Sequence, residues 1–312
     1  MSFLIAGGTG LIGSALIDML NASGDNAIIL TRGATMERDG VAYIHWDPEK
    51  PDMETLSDSI SGSDYVVNLS GTPITPTRMG KAEKEAIMKS RVDATHAIVE
   101  AIGESGSKPK ALVNGSAIGF YGNRGDQEIA EESQPGNGFL SDVCKAWEEE
   151  AFRAAEYGVK VYTIRTGMVL SADGGSLPVM AKQAMRGLGA VMGDGSQWVS
   201  WIHIKDIASM MISFAKSGAA SCAANGVSPN PVRNSEFADI LASSLGRKKG
   251  IKIPKFALRL AMGDLADELL LSSQRALPAK AQEIGFKFEY PQLKDALEEI
   301  SPKLLRSLNA RR

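Results

Sequence analysis

Four residues near the N-terminus, Phe3–Ala6, run directly into Gly7-Gly8-Thr9-Gly10-Leu11-Ile12-Gly13, and no other stretch limits the fold so tightly. The glycines satisfy two spacings at once, Gly8-x-Gly10-x-x-Gly13 and Gly7-x-x-Gly10-x-x-Gly13. An apolar strand precedes them and an amphipathic stretch, Leu11–Asn21, follows. That order predicts a buried strand, a tight turn, and a helix whose first N–H groups lack partners. The first glycine makes the turn, the middle one lets the backbone approach a diphosphate, and Gly13 lets the helix pack close to the strand. The bare N–H groups at the helix start attract phosphate oxygens. The loop therefore predicts a dinucleotide held by Gly7, Thr9, Gly10, Leu11, Ile12 and Gly13.

Beyond the loop, short β-rich runs alternate with helical ones. Phe3–Ala6, Ala27–Thr31, Tyr65–Ser70, Ala111–Ser116 and Val159–Arg165 read as strands, mostly apolar and without strict alternation. Such runs suit strands covered on both faces of a parallel sheet. Leu11–Asn21, Lys81–Glu104 and Leu140–Tyr157 read as the helices between them. The pattern predicts an α/β fold, a doubly wound parallel Rossmann sheet. After Arg165 the chain turns glycine-rich, with helices expected at Leu177–Arg186, Ile204–Lys216, Asn234–Gly246, Lys255–Leu271 and Gln292–Asn309. Short strands are expected at Lys252–Ile253 and Phe286–Tyr290. These make a smaller, mainly helical C-terminal substrate lobe. The expected division is residues 1–170 for the dinucleotide domain, with 203–227 returning to it, and 171–202 with 228–312 for the lobe. A chain of 312 residues is long enough for that, at roughly 150 residues per domain.

The charge balance of 34 basic against 37 acidic residues gives −3, which excludes a bulk electrostatic grip on nucleic acid or an anionic membrane and leaves local patches open. The two cysteines, Cys144 and Cys222, are too few for a disulfide framework or a zinc cage and read as free buried thiols. No metal is expected. No apolar run reaches the ~18 residues of a membrane span, and the first residues lack a signal-peptide pattern. The expectation is a cytoplasmic protein with a small-molecule substrate and no nucleic-acid or membrane partner, a homodimer being compatible with the sequence.

The second predicted strand ends in Thr31-Arg32-Gly33, where a carboxylate would bond a ribose 2′-hydroxyl and repel a 2′-phosphate. Arg32 does the reverse, because its planar guanidinium can clamp that phosphate. The cofactor expected is NADP(H), with Thr31 and Arg32 beside the adenine ribose; the alternative is a solvated surface arginine.

With these residues placed, the chain resembles the extended short-chain dehydrogenase/reductases, the NAD(P)-dependent epimerase/dehydratase family, and most of all its atypical branch, family 39U. The segments that carry the resemblance include Val67–Ile74, Ser90–Thr95, Ser116–Gly122, Arg165–Leu170, Gly193–Trp198 and Trp201–Asp206. The resemblance implies that Leu69, Ser70 and Gly71 lie by the adenosine side and that Arg91, where ordinary members carry Asn, approaches the dinucleotide. A helix-surface ion pair of Arg91 with Glu85 or Glu100 is the alternative. It also implies that Ser116 and Ala117, and the Arg165–Met168 segment, open onto the crevice where such sheets bind ligands.

Members of this family work through Ser, Tyr and Lys, the tyrosine acting as general acid/base. Ser116 supplies the serine. Where Tyr-x-x-x-Lys is expected stand Phe139, Leu140 and Ser141, and the one such spacing in the chain, Tyr290…Lys294, lies far along the C-terminal lobe. Tyr121 is the substitute acid, on the expectation that its hydroxyl turns into the cleft; a structural aromatic is the alternative. Lys145 is a second candidate, or a solvated helix lysine. His203 reads as a helix anchor with Asp206. Val199 stands where nucleotide-sugar members carry a phosphate-gripping arginine, flanked by Trp198 and Trp201, which either stack on a flat substrate or fill a hinge. The sequence thus reads as an NADP(H)-dependent oxidoreductase or epimerase on a small carbonyl or hydroxyl compound, with a non-catalytic NADP(H)-binding regulator as the alternative.

Overall fold

The computed structural model describes residues 1–75, 77–248 and 250–310. Its largest sheet has eight strands: β1 Ser2–Ala6, β2 Asn26–Thr31, β3 Met36–Arg38, β4 Val41–His45, β5 Tyr65–Asn68, β6 Ala111–Ala117, β7 Lys160–Thr166 and β8 Cys222–Gly226. Their spatial order is β8-β7-β6-β5-β1-β2-β4-β3. All pairs are parallel except β3 with β4. The chain runs outward from β1 to one edge and then restarts at β5 on the other side of β1. The carboxyl ends of β1 and β5, where Ala6 sits opposite Asn68, therefore flank a switch point, the place where open α/β sheets bind ligands.

Neighbouring residues of one strand enter different cores, which is why no alternation is seen. Phe3 and Ile5 join Leu16 and Leu20 of helix α1 (Leu11–Ala22) and Met210, Met211 and Phe214 of helix α6 (Ile204–Ser217). Leu4 and Ala6 face Leu56 and Ile60 of α2 (Met53–Ser61), Ile98 and Ile102 of α3 (Lys81–Glu104), and Ala151 of α4 (Phe139–Phe152). The predicted fold is thus present, with three further strands in it. Glu37 and its neighbours form an exposed edge strand paired antiparallel to Val41–His45, which extends the sheet beyond β2. Cys222–Gly226 carries no β-branched residue; its place comes from pairing with β7, not from local preference.

A third apolar core lies outside the sheet. It combines α5 (Leu177–Met185), α7 (Asn234–Ser244) and α11 (Leu293–Ala310) around Trp201, Phe237 and Leu297. The expected single helix Lys255–Leu271 is two, α8 (Lys255–Met262) and α9 (Leu265–Leu269), because Gly263 turns left-handed at φ +61° and ends the first. The last helix before α11 is α10 (Ala279–Glu283). Phe286–Tyr290 is not a strand. Its N–H groups at Glu289 and Tyr290 donate to the buried Asp206 carboxylate (2.8 and 3.0 Å) instead of to a ladder, and its alternating Phe286 and Phe288 rings meet edge to face. His203 is fully buried, caps α6 through Lys205 N and lies against Tyr290, as an anchor would.

Candidate functional site

The glycine loop and the loop after β5 are built into one another. Gly7 has φ +80°, and a Cβ there would lie 2.7 Å from the Leu69 carbonyl oxygen. A Cβ on Gly13 would stand 2.5 Å from the Gly7 oxygen, so α1 approaches β1 as closely as backbone allows. Gly10 precedes α1 without any side-chain cap, and the helix has no acidic residue in its first turn. Ser14 makes the first turn's bond back to Gly10, which leaves the N–H groups of Leu11, Ile12 and Gly13 without helical acceptors. Thr9 and Gly10 are exposed. This is a phosphate cradle in chemistry and shape.

Two arginines are expected beside it. At the end of β2, Thr31 Oγ1 accepts from Gly33 N (3.1 Å) and shapes the turn that leaves Arg32 exposed, with no ion pair among the described residues. Arg91 comes from α3. It donates to the Thr72 and Ile87 carbonyls, both at 3.1 Å, and its side chain covers Gly71, where a Cβ would meet it at 3.1 Å. The helix-surface ion pair is not formed: Glu85 pairs with Lys81 and Glu100 with Arg153. Burial lowers the Arg91 pKa, as expected for a cation poorly reached by water and with no carboxylate paired to it among the described residues. Leu69 N donates to Ala6 and Ser70 N to Asn68 Oδ1, so Leu69, Ser70 and Gly71 line the same crevice. Below them Asn68, Thr95, Asn114 and the Trp147 indole form a closed buried hydrogen-bond set.

On the other side of β5 the register sets Ser116 of β6 opposite Arg165 of β7, and Arg165 opposite Asn225 of β8. Ser116 Oγ donates to Glu148 Oε1 at 2.6 Å. Arg165 grips the same carboxylate with two nitrogens, Nε to Oε1 (2.8 Å) and Nη2 to Oε2 (2.7 Å). Its Nη1 donates to the Tyr121 hydroxyl and the Glu131 carbonyl, both at 2.9 Å, and its carbon lies 3.5 Å from the Phe120 ring centre. Burial works against the Arg165 charge, and the bonds and field of Glu148 outweigh it, so its pKa is raised.

Two expectations are corrected here. Tyr121 does not turn into the cleft: it is 0% exposed, and its hydroxyl donates to Asn225 Oδ1 at 2.7 Å. Burial pushes its pKa up to about 12, so it is an unsuitable acid/base where it stands. The Arg165 side chain does not face a cofactor either, since its donors are spent inside the protein. Sequence reasoning missed Glu148. The available signal was a charged residue at the end of an apolar strand, which needs a buried partner.

Helix α4 brings no replacement for the expected tyrosine and lysine. Leu140 lies in an apolar cluster with Leu258, Met262 and Leu265, and Glu268 of α9 caps the helix through Phe139 N and Leu140 N. Four residues on, Cys144 points at the Ala117 carbonyl (3.5 Å), and burial lifts its thiol to about 11. Lys145 pairs with Asp142 on the helix surface. Ser141 Oγ donates to the Phe120 carbonyl. Met168 starts a short strand, Met168–Leu170, parallel to Trp201–His203, and packs against the third core. Trp201 is wholly buried and holds the Asn230 carbonyl, which is the hinge-filling alternative. Trp198 bonds Asp126 and lies near two guanidinium groups, Arg233 and Arg275, at 4.2 and 4.6 Å from its ring centre. Val199 pairs with Val232 in a two-strand ribbon. Among the described residues no group of three His, Cys, Asp or Glu is arranged to hold a metal.

A parallel sheet with a glycine cradle at its switch point, and a serine at the end of the strand two places away, defines a nicotinamide-dinucleotide-binding protein of the extended short-chain dehydrogenase type. The chain belongs to the NAD dependent epimerase/dehydratase family, whose model matches residues 3–223, and within it to the branch of SDR39U1. A model described as a domain of unknown function matches residues 253–300. The epimerase family protein ML0860 of Mycobacterium leprae is 35% identical over 94% of this chain and 93% of its own length. The epimerase family protein SDR39U1 homolog, chloroplastic, of Arabidopsis thaliana is 34% identical, covering 96% of this chain and 86% of that one. Among solved structures, the human epimerase family protein SDR39U1 (isoform2) with NADPH superposes with a TM-score of 0.86 at 29% identity, covering 97% of this chain and 99% of the human one.

Proposed function

We propose that this protein is an NADP(H)-dependent oxidoreductase acting on a small carbonyl or hydroxyl compound, with residues 1–170 and 203–227 forming the cofactor unit and the rest the substrate side. The NADP(H) reading rests on Arg32, free of any ion pair among the described residues at the end of β2, on the desolvated Arg91, and on the NADPH complex of the human relative. Leu11, Ile12 and Gly13 would hold the diphosphate, Leu69 to Gly71 and Arg91 the middle of the dinucleotide, and Ala117 the nicotinamide end. When bound, the nicotinamide supplies the hydride chemistry, so the chain has only to place the substrate oxygen and manage one proton.

The observation that carries the catalytic reading is the Ser116–Glu148 hydrogen bond. A serine hydroxyl has one hydrogen, and here Glu148 takes it. Ser116 then offers its lone pairs and accepts from a substrate hydroxyl, orienting that oxygen, while the proton released as the hydride leaves passes to solvent water at the mouth of the crevice. Glu148 and Arg165 act behind it as positioning residues. The alternative, a non-catalytic NADP(H)-binding regulator, is favoured by the apolar packing of Leu140 and by the high thiol pKa of Cys144 where an acid/base pair is expected.

Fluorescence titration tests the cofactor. NADPH should bind at least about tenfold tighter than NADH, a gap of ~1.4 kcal/mol, and Arg32→Asp should erase that preference. Equal affinities in the unaltered protein refute the assignment. A carbonyl library followed by NADPH absorbance tests the chemistry: Ser116→Ala should lower turnover by about 10²-fold or more while NADPH affinity stays, and tight NADPH binding with no turnover on any compound favours the regulator.

A further inference from the structure

One surface of the C-terminal half departs from the rest in both charge and polarity. Between 247 and 263 the chain holds Arg247, Lys248, Lys249, Lys252, Lys255 and Arg259 and no Asp or Glu, and residues 182–193 add Lys182 and Arg186, again with no acid. This is a local excess of basic charge in a protein of net charge −3. The fold joins the two segments, because the strand Leu188–Met192 pairs in parallel with Ile251–Ile253 and sets Leu188 against Ile251. Lys255 and Arg259 are neutralised by Asp194 and Asp267, whereas Lys182, Arg186, Arg247, Lys248 and Lys252 are exposed and make no ion pair among the described residues.

Among these cations stand four exposed large apolar side chains. Leu260 is 78% exposed, Phe256 72%, Ile251 67% and Leu188 42%. Phe256 and Leu260 are one helical turn apart on α8 and share a face, while Leu258 and Met262 on the opposite face fill the protein core. An exposed phenylalanine and leucine at this spacing serve no packing purpose inside the chain. Beside unpaired lysines and arginines they make the pattern of a helix that lies in a membrane interface.

We infer that this face, α8 with the Leu188–Ile251 strand pair, is a docking surface for an anionic lipid bilayer, into whose headgroup zone Phe256 and Leu260 insert while the flanking cations hold acidic lipids. Charge selects among occupants. A second copy meeting this face symmetrically would set two unpaired basic clusters against each other. Nucleic acid would match the cations and leave the projecting Phe256 and Leu260 in water. The side chains project from the surface instead of lining a groove, which suits shallow insertion better than accepting a partner's side chain. The net negative charge does not oppose this, because at physiological salt charges beyond ~8 Å are screened. No helix among the described residues is long and apolar enough to cross a membrane, so the attachment is peripheral.

Sedimentation of the full chain with vesicles tests this. With about one-third phosphatidylserine in phosphatidylcholine at low salt the protein should pellet, and with pure phosphatidylcholine, or at ~0.5 M salt, it should stay in solution. Phe256→Ser with Leu260→Ser should lower the partition coefficient about tenfold or more, and Lys248→Glu with Lys252→Glu should do the same. Retained NADPH binding shows that these exposed-site variants are folded. Independently, Leu260→Trp should shift its emission to the blue when anionic vesicles are added. No pelleting with anionic vesicles, or undiminished pelleting of the serine variant, overturns the inference. So does a dimer in the unaltered protein that the serine variant dissolves, which would assign the face to a second copy.

Discussion

Glu148→Gln probes the buried network most directly. Glu148 and Arg165 are each 5% exposed, and the carboxylate accepts three hydrogen bonds, two from the guanidinium and one from Ser116. The substitution keeps the shape, removes the negative charge and turns one acceptor into a donor facing another donor. Arg165 cannot relieve this by moving to water, because its remaining nitrogen is fixed on Tyr121 and the Glu131 carbonyl. Breaking one side of such a buried pair costs about 3–5 kcal/mol. With an unfolding entropy of ~2.1 cal/mol/K per residue over 312 residues, the melting temperature should fall by about 5–8 °C. Replacing both charges, Glu148→Leu with Arg165→Met, should recover most of the loss, since an apolar pair leaves no charge stranded. Calorimetry of the two singles and the double gives the coupling. A melting temperature for Glu148→Gln within about 1 °C of the unaltered protein would refute the claim that this carboxylate neutralises Arg165.

Gly13→Ala puts a Cβ 2.5 Å from the Gly7 oxygen and 2.7 Å from Gly8 Cα, backbone atoms that cannot yield without opening the loop, so NADPH affinity should drop at least about tenfold by fluorescence titration. Arg91→Ala should weaken NADPH by a similar factor of about ten with little change in melting temperature, because the side chain is desolvated and forms no ion pair among the described residues. Asp25, which joins Lys216 of α6 and the N-terminal amine, is held down to about 2 from 3.8, first by its bond to Lys216. Its folded pKa lies below its unfolded one, so its contribution is complete above that unfolded value and is lost as pH falls toward about 2. Asp25→Asn should therefore melt lower than the unaltered protein near neutral pH, and the difference should shrink in that acid window.

The cofactor half of this protein is written locally. The strand, the glycine turn and the helix start with its bare N–H groups lie within residues 3–13, and their chemistry needs no distant partner, so the sequence alone determines them. Arg32 is equally legible as an exposed arginine at the end of the second strand, because the strand and the turn that place it are local. The apolar runs of β1, β5, β6 and β7 announced a sheet covered on both faces. Cys222–Gly226 was silent because pairing with β7, not its own residues, makes it a strand. Phe286–Tyr290 misled because alternation looks the same whether the backbone bonds a neighbouring strand or the Asp206 carboxylate. The second half of the site was decided in three dimensions. Tyr121 follows Ser116 by five residues, yet its hydroxyl goes inward to Asn225, 104 residues away, and Ser116 answers to Glu148, 32 residues away. Which buried polar group takes which partner depends on strand register and helix rotation across the whole sheet, since each donor must be satisfied where water cannot reach. That constraint acts only once the chain is folded.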